Sequence, residues 1–337
     1  MGDMADRIDM DKKINVGVLG CSSFAVRAMI PELRRHPSFN LAAVASRTRD
    51  KASAVAQGCG CAPLSYDDLV ASPGIDAVYV PLPTGLHAEW VNKCLLAGKH
   101  VLCEKSLACT LKEVQEMVGA ARKRGLFLME NFQFRFHSQH VFTKELLAAG
   151  ALGEIRCFRA SFGFPPFSDG PANIRYQASL GGGALLDAGA YTLKATTFML
   201  GQGFQVKAAS LRLSKEHGVD VGGAAFLENG CGLVSETAFG FDNYYQCSYE
   251  LWGSKGKLTA KRAFTAPPGL SPEIVIETAS GTEVKAMPPD NHFAKMLSYF
   301  AASIQAGESF EPEYAESLVQ AELLQQVMER ARSPHGC

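Results

Sequence analysis

The stretch Asn15-Val16-Gly17-Val18-Leu19-Gly20-Cys21-Ser22-Ser23-Phe24-Ala25 decides the fold of this chain. Residues 15–19 form a short apolar strand, and residues 24–35 carry the apolar spacing of a helix that Pro31 kinks or interrupts. Gly20 supplies the tight turn between them, and Ala25 is small enough for the helix to pack close to the strand. The alternation continues. Strands are expected at 41–45, 76–82, 100–103 and 126–130, with a helix at 86–97 closed by Gly98. Thr110 and Glu113 form a capping box for a further helix, which ends at Gly125. Strands alternating with helices predict a parallel, doubly wound sheet.

Past residue 135 the period changes. A helix at 138–149 leads to a strand at 155–164, and a glycine-rich loop and helix follow near 181–200. Strands without intervening helices are then expected at 204–214, 222–228, 231–241, 244–252, 257–263, 273–278 and 282–287. Their connections carry turn chemistry, as in Glu228-Asn229-Gly230 and Ser280-Gly281. That pattern predicts a large, mainly antiparallel sheet. Helices at 291–305, with Asp290 as cap, and at 314–332 close the chain. The expected organisation is a mobile tail at 1–13, one domain at 14–135 and a second at 136–337.

Composition narrows the function classes. A chain of 337 residues is comfortable for two domains of about 100–200 residues each. A net charge of −1 gives no electrostatic case for nucleic acid or an anionic membrane. No apolar run approaches the roughly 18 residues of a membrane span. The first residues are polar and acidic, without the apolar stretch of a secretory signal. The ten cysteines are scattered through apolar contexts such as Cys94, Cys103 and Cys157, which reads as buried thiols in a reducing cytoplasm. Cys59-Gly-Cys61 is the closest pair, and no second pair at zinc-ligand spacing accompanies it, so no metal site is expected.

The glycine turn carries chemistry. Gly20, Ser22 and Ala25 occupy the three positions of a G-x-G-x-x-G/A fingerprint, with Ser22 in the middle glycine's place. Backbone N–H groups at such a turn face an anion, here a pyrophosphate, and Ser23 and Phe24 lie in the same turn. Ser22 narrows the backbone's approach but can donate a hydroxyl hydrogen bond. The second strand ends in Ser46-Arg47-Thr48, with no carboxylate at its tip. A carboxylate there would bind a ribose 2′-hydroxyl, whereas donors suit a 2′-phosphate. NADP is therefore expected in preference to NAD. The competing reading is a run of solvated charges.

Two further stretches stand out. Glu104-Lys105 follows the fourth strand directly, where ligands of open α/β sheets bind. In Gly181-Gly182-Gly183-Ala184-Leu185-Leu186-Asp187-Ala188-Gly189-Ala190-Tyr191, the carboxylate and the phenol are i and i+4 and share a helix face. Alone, Asp187 is better read as a charge placed near a helix N-terminus and stabilised by the macrodipole.

Taken together, the glycine turn, Glu104-Lys105 and GGGALLDAGAY resemble the Gfo/Idh/MocA family of nicotinamide-dependent oxidoreductases, over residues 14–335. The resemblance implies an α/β fold: an N-terminal Rossmann domain with a doubly wound parallel sheet, plus a C-terminal α+β domain with a large open, mostly antiparallel sheet for substrate binding and oligomerisation. It implies Lys105, Asp187 and Tyr191 as the catalytic group. Pro81-Leu82-Pro83-Thr84-Gly85-Leu86-His87 is similar to the segment beneath the nicotinamide, and Asn131-Phe132-Gln133-Phe134-Arg135-Phe136 to the interdomain segment facing the cofactor. The implied cofactor contacts are thus Gly20, Ser22, Ser23, Phe24, Ala25, Ser46, Arg47, Thr48, Tyr66, Pro81, Leu82, Pro83, Thr84, His87, Glu104, Lys105, Asn131 and Arg135. Candidate substrate contacts are Asn173, Arg175, Asp187, Tyr191, Tyr244 and Tyr245, with Arg175 suited to a diphosphate.

The chain departs from the family pattern at Ser106, where proline is usual after Glu-Lys, and at Ser22. Tyr191 at the histidine-or-tyrosine position and the stretch 239–268 are similar to the branch that reduces keto groups on nucleotide-linked deoxysugars. The expectation is NADP-dependent reduction of a 3-keto nucleotide-sugar by a cytoplasmic homodimer or homotetramer. Alternatives are an inositol, free-sugar or dihydrodiol dehydrogenase, and a non-catalytic dinucleotide-binding sensor. The three residues Lys105, Asp187 and Tyr191 together argue against the sensor.

Overall fold

The computed structural model describes residues 13–332, so the expected tail falls, apart from Lys13, outside the described residues. The first layer is a six-stranded parallel sheet in the order β3-β2-β1-β4-β5-β6. Its strands are β1 (Ile14–Leu19), β2 (Phe39–Ala45), β3 (Ala62–Leu64), β4 (Ala77–Val80), β5 (His100–Glu104) and β6 (Leu128–Asn131). Helices α1 (Ile30–Arg35), α2 (Arg49–Cys59), α3 (Tyr66–Ala71), α4 (His87–Leu96) and α5 (Leu111–Arg124) connect them. The order reverses between β1 and β4, and that reversal opens a crevice at the strands' carboxyl ends.

The glycine turn behaves as its residues dictate. Gly20 has φ +128°, and a Cβ there would lie 2.8 Å from the Leu82 side chain. The following helix begins as a wide π-turn at Ala25–Met29, with the Ile30 N–H donating to the Ala25 carbonyl five residues back. That widening sits just before Pro31, whose ring cannot pass the carbonyl four residues back in a regular helix. The capping box of α5 forms as its sequence predicts: the Glu113 N–H donates to Thr110 Oγ1, and the Thr110 N–H donates to the Glu113 carboxylate.

The second layer is an eight-stranded sheet in the order β14-β13-β12-β11-β7-β10-β9-β8. Its strands are β7 (Ile155–Gly163), β8 (Gln205–Leu213), β9 (Asp220–Glu228), β10 (Val234–Gly240), β11 (Gln246–Gly253), β12 (Gly256–Lys261), β13 (Glu273–Thr278) and β14 (Gly281–Ala286). Only the central β7–β10 pair is parallel. One face buries Phe158, Phe162, Leu227, Phe239 and Tyr249 against α7 (Ala190–Leu200) and α9 (Glu311–Arg332). The other face is open. It carries the Arg159–Glu236 and Arg159–Glu250 ion pairs beside Trp252 and Phe226, which are 50% and 38% exposed.

Helices α6 (Ser138–Ala148) and α8 (His292–Ala306) complete the chain. Although late in sequence, α8 buries Phe293, Met296, Leu297 and Phe300 against β1 and β2 of the first sheet. α9 bridges the layers, with Tyr314 and Ala321 in the first core and Leu323 and Val327 in the second. Asp290 does not cap α8. Asn291 does, accepting the Ala294 N–H at 3.1 Å, while Asp290 takes the Ser138 N–H and the Lys295 ammonium.

Candidate active site

A cleft of about 540 Å³ opens where the carboxyl ends of β1, β4 and β5 meet the loop before α7. Lys105 follows the last residue of β5 and is about nine-tenths buried. Its ammonium donates to the Asp187 main-chain carbonyl at 2.8 Å and makes an ion pair with the Asp187 carboxylate. It also stands 4.8 Å from the centre of the Tyr191 ring. The three residues singled out from two distant stretches therefore meet in one place.

Backbone contacts fix that meeting. The Lys105–Ser106 peptide is cis. Ser106, in the place of the family's proline, donates its hydroxyl to the Leu186 carbonyl at 2.8 Å. The buried His87 ring lies 2.9 Å from the Ser106 carbonyl and 2.8 Å from the Leu82 carbonyl, linking the residue 81–83 loop to the lysine's backbone. The glycine triplet has a packing reason: a Cβ on Gly181 would lie 2.7 Å from the Gly85 nitrogen, and one on Gly182 would lie 2.6 Å from the Arg175 carbonyl. Only glycine lets the two loops interlock around the cleft.

Electrostatics assigns protonation states. Burial acts to raise the Asp187 carboxyl, but the Arg175 and Lys105 charges outweigh it and hold it well below the usual carboxylate range. Arg175 makes its half of that arrangement through Nε, 2.5 Å from Asp187 Oδ2, with its guanidinium over the Phe167 ring. Burial, then the Glu104 and Asp187 charges, push the Tyr191 phenol far up, so it keeps its proton. Glu104 lies beneath, accepting from the Tyr79 hydroxyl and the Asn131 amide, each at 2.7 Å, and burial raises its carboxyl. The arrangement sets an ammonium and a protonated phenol side by side over an anionic support. That suits stabilising and protonating an oxyanion.

The cofactor end can be tested against the residues present. Ser22 Oγ accepts the Ala25 N–H at 3.1 Å, so this serine caps the helix and keeps its own proton to donate. First-turn N–H groups lack intrahelical acceptors, and Ser22, Ser23 and Phe24 line the cleft. The side-chain-free space at Gly20 brings the Leu82 loop against the turn. A dinucleotide pyrophosphate fits this cradle. Beyond it, Ser46 lies beside Cys21, and the Tyr66 hydroxyl meets the Arg47 backbone while its ring packs edge-on to Trp90. Arg47 and Thr48 are exposed there, with no carboxylate at the strand tip.

Other expected contacts are not brought to the cleft. Arg135 turns away from it: its side chain is 7% exposed and pairs with Glu313 and Glu316 of α9. Residues 133–136 form a short helical turn rather than a strand, so residues two apart point different ways: Gln133 faces the cleft and Arg135 does not. Asn131 is fully buried behind Glu104. Asn173 is a turn residue that accepts the Arg175 N–H and donates to Asp169. Tyr244 is 95% exposed. Tyr245 lies behind the wall, with its hydroxyl 2.6 Å from Arg262 Nη1 and 3.2 Å from Thr265 Oγ1. Sequence reasoning missed Arg27, Gln133 and the aromatic wall of Phe162, Phe164 and Phe167. The alternating Phe158, Phe162 and Phe164 was a signal of a half-buried strand, but not of which end met a ligand. Among the described residues no cluster of metal-ligating side chains exists, and no helix is long and apolar enough to cross a membrane.

A parallel sheet with an anion-binding turn, joined to a second domain whose helix α7 and the turn before it supply a phenol and a carboxylate to a strand-end lysine, defines a two-domain nicotinamide-dependent oxidoreductase. Residues 14–132 match the oxidoreductase family with an NAD-binding Rossmann fold, and residues 140–259 match the GFO/IDH/MocA C-terminal domain. The chain belongs to the Gfo/Idh/MocA family. It is 40% identical over 329 residues to a dTDP-3,4-didehydro-2,6-dideoxy-alpha-D-glucose 3-reductase of Saccharopolyspora spinosa, covering 96% of this chain and 98% of that protein. It is similar to the crystal structure of a 3-ketoreductase from Actinomadura kijaniata in complex with NADP and TDP-benzene, with a TM-score of 0.92, 40% identity, and coverage of 95% of this chain and 98% of that one. A more distant relative is a D-xylose 1-dehydrogenase (NADP(+)) from Haloferax volcanii, 31% identical over 94% of this chain and 97% of that protein.

Proposed function

We propose that the chain reduces the 3-keto group of a nucleotide-linked deoxysugar with NADPH. The observation that carries this reading is the convergence of Lys105, Asp187 and Tyr191 at the crevice beyond the glycine turn. When bound, the nicotinamide supplies hydride to the ketone carbon. Negative charge then develops on the ketone oxygen. The Lys105 ammonium stabilises it, and the Tyr191 phenol delivers its proton. Asp187 fixes the ammonium in place through the ion pair and the adjacent carbonyl. Arg175, anchored at Nε with its terminal nitrogens free for a ligand, is suited to the diphosphate that joins sugar and nucleoside. The relatives named above, at about two-fifths identity, support the substrate class. A substrate panel run in both directions tests it: NADPH consumption with a dTDP-linked 3-keto-2,6-dideoxysugar, and no NADP+ reduction with inositol or free glucose, is expected. The reverse preference would assign the chain to polyol or free-sugar oxidation.

Cofactor choice rests on Ser46 and Arg47. Arg47→Asp weakens NADPH binding and spares NADH. A charge-assisted hydrogen bond contributes about 1.5–3 kcal/mol, a roughly 10- to 150-fold loss in affinity. Equal losses for both dinucleotides, read by fluorescence titration, would remove the 2′-phosphate from this end of the cleft.

The open face of the second sheet supports assembly. It sets Phe226 among small residues such as Ala208, Ala224 and Ala238, and exposes Trp252 beside Arg159. We expect a homodimer or homotetramer closed through that face. Light scattering at micromolar concentration checks this, and a concentration-independent monomer would contradict it. Nine free cysteines among the described residues fit a cytoplasmic protein.

A further inference from the structure

Gln133 is not one of the expected catalytic or cofactor-binding residues, yet its position in the cleft asks for a ligand. It sits in the short helical turn Gln133–Phe136 that follows β6 and is 5% exposed. It nevertheless lines the cleft that holds Lys105, Asp187 and Tyr191. Its neighbours Phe132 and Phe134 both pack on the Tyr191 ring, and its side chain acts to lower the Tyr191 phenol, as a donated hydrogen bond does, against the larger effect of burial. Its carbonyl oxygen Oε1 is buried and has no hydrogen-bond partner among the described residues. A buried carbonyl without a donor costs about 1–3 kcal/mol, so most such groups find a partner. Of the flanking side chains of the turn, Phe134 packs on Tyr191 and Phe264, and Arg135 points to α9, where its two terminal nitrogens are bound while its Nε is left without a partner among the described residues. The cleft is the side on which Gln133 can find a donor.

We propose that Gln133 is a positioning residue that holds the Tyr191 hydroxyl in register with the reacting oxygen and takes one N–H or O–H donor of the bound ligand on its free carbonyl oxygen. The two functions are coupled through one planar amide. Donation from the nitrogen occupies a lone pair of the phenol oxygen, which leaves the phenol's proton directed elsewhere, toward the position of the ketone oxygen. Acceptance at the carbonyl holds the amide against flipping, because a flipped amide would lose that bond and turn its carbonyl oxygen to the phenol, where it would accept the phenol's proton and direct it away from the ketone. Ligand binding thus sets the orientation of the proton donor. Two sources offer the required chemistry: the carboxamide N–H of the nicotinamide and a hydroxyl of the sugar. This assignment rests on the proposed ketoreductase reading for its kinetic arm only.

The test compares Gln133→Met, which fills a similar volume without an acceptor, with Gln133→Glu, which keeps one. Thermal unfolding first establishes that both variants fold. NADPH affinity is read by nicotinamide fluorescence, and KM and kcat are read with the dTDP-linked 3-ketosugar. For Gln133→Met a roughly 5- to 100-fold loss is expected in one affinity, following the cost of an unpaired buried donor. A loss in NADPH affinity alone names the carboxamide as the donor, and a rise in KM alone names the sugar hydroxyl. Gln133→Glu should recover part of that affinity through its remaining acceptor. On a Tyr191→Phe background, Gln133→Met should lower kcat no further, because the phenol it orients is gone. Unchanged NADPH affinity, KM and kcat in Gln133→Met would overturn the assignment, and so would full additivity with Tyr191→Phe. If the wild-type chain binds NADPH but turns over no ketosugar, the ketoreductase reading fails. An NADPH titration of Gln133→Met then decides the assignment alone: weakened binding sustains it with the carboxamide as donor, and unchanged binding overturns it.

Discussion

Lys105→Ala lowers the turnover rate by about 10²–10⁴-fold, or more, and leaves NADPH affinity nearly intact. The reason lies in what the ammonium touches. Its contacts are with Asp187 and the Tyr191 ring at the reacting end, not with the glycine turn that cradles the dinucleotide. Removing it leaves Asp187 paired with Arg175, so the site keeps its anion compensated and the fold persists. Tyr191→Phe also lowers the rate, since the ring still packs on Phe132 and Phe162 while the proton is lost. If the two residues share one path of charge stabilisation and proton delivery, the double variant is less impaired than the product of the single effects. Lys105→Arg separates charge from proton transfer, because arginine stays charged but is a poor acid. Partial recovery is expected, with Lys105 acting through its charge and Tyr191 as the donor. Steady-state rates alongside fluorescence titration check all four variants. Near-normal turnover in Lys105→Ala would leave Glu104-Lys105 as an ordinary pair of charges at a strand end.

Arg135→Ala destabilises the folded chain by about 3–5 kcal/mol, the range for stranding one member of a buried ion pair. The Arg135 and Glu313 side chains are 7% and 9% exposed, with Nη2 3.0 Å from Glu313 Oε2. Glu316 keeps the Lys194 ammonium at 2.6 Å when Arg135 is lost, so Glu313 is the group left uncompensated, with only the Tyr299 hydroxyl at 3.1 Å. Removing both partners, as in Arg135→Met with Glu313→Gln, should therefore cost less than Arg135→Ala alone. Urea unfolding monitored by tryptophan fluorescence measures the difference. A variant as stable as the wild type would mean that α9 is held to the residue 133–136 turn by packing alone.

The Arg135 result also shows where sequence reading stops. The alternation of strands and helices, the capping box at Thr110 and the change of period after residue 135 are local signals, and each appears in the structure where the sequence places it. The short β3 escaped because three residues containing a proline carry no periodicity, and it holds only an edge position beside β2. Helices α2 and α3 escaped because their exposed faces are polar and their buried faces are carried by few residues, such as Ala52, Ala56 and Leu69. The packing of α8 onto the first sheet depends on contacts between residues far apart in sequence, and no local pattern encodes them.

The site divides along the same line. Lys105, Asp187 and Tyr191 were legible because two motifs fix them at a strand end and on one helix face. Which member of the residue 131–136 segment faces the cleft was not legible, because the segment leaves the strand in a short turn whose direction only the packing sets. Arginine was the residue with obvious chemistry for an anion, yet its partners are two glutamates contributed by a helix almost two hundred residues away. Tyr244 and Tyr245 lie next to a strand end that comes near the cleft, but β11 carries them past its rim, one to solvent and one behind Thr265.

The most direct measurement is the fate of the hydride. NADPH deuterated at the transferring position of the nicotinamide is turned over with the dTDP-linked 3-keto-2,6-dideoxysugar, and the sugar product is read by NMR. The account predicts deuterium on the carbon that carried the ketone, one per NADPH consumed, and labelled product formed about 10²–10⁴-fold more slowly, or slower still, with Lys105→Ala at saturating cofactor. NADPH bound with no deuterium in the sugar would contradict it and leave the chain a dinucleotide-binding protein with a catalytic group it does not use on this substrate.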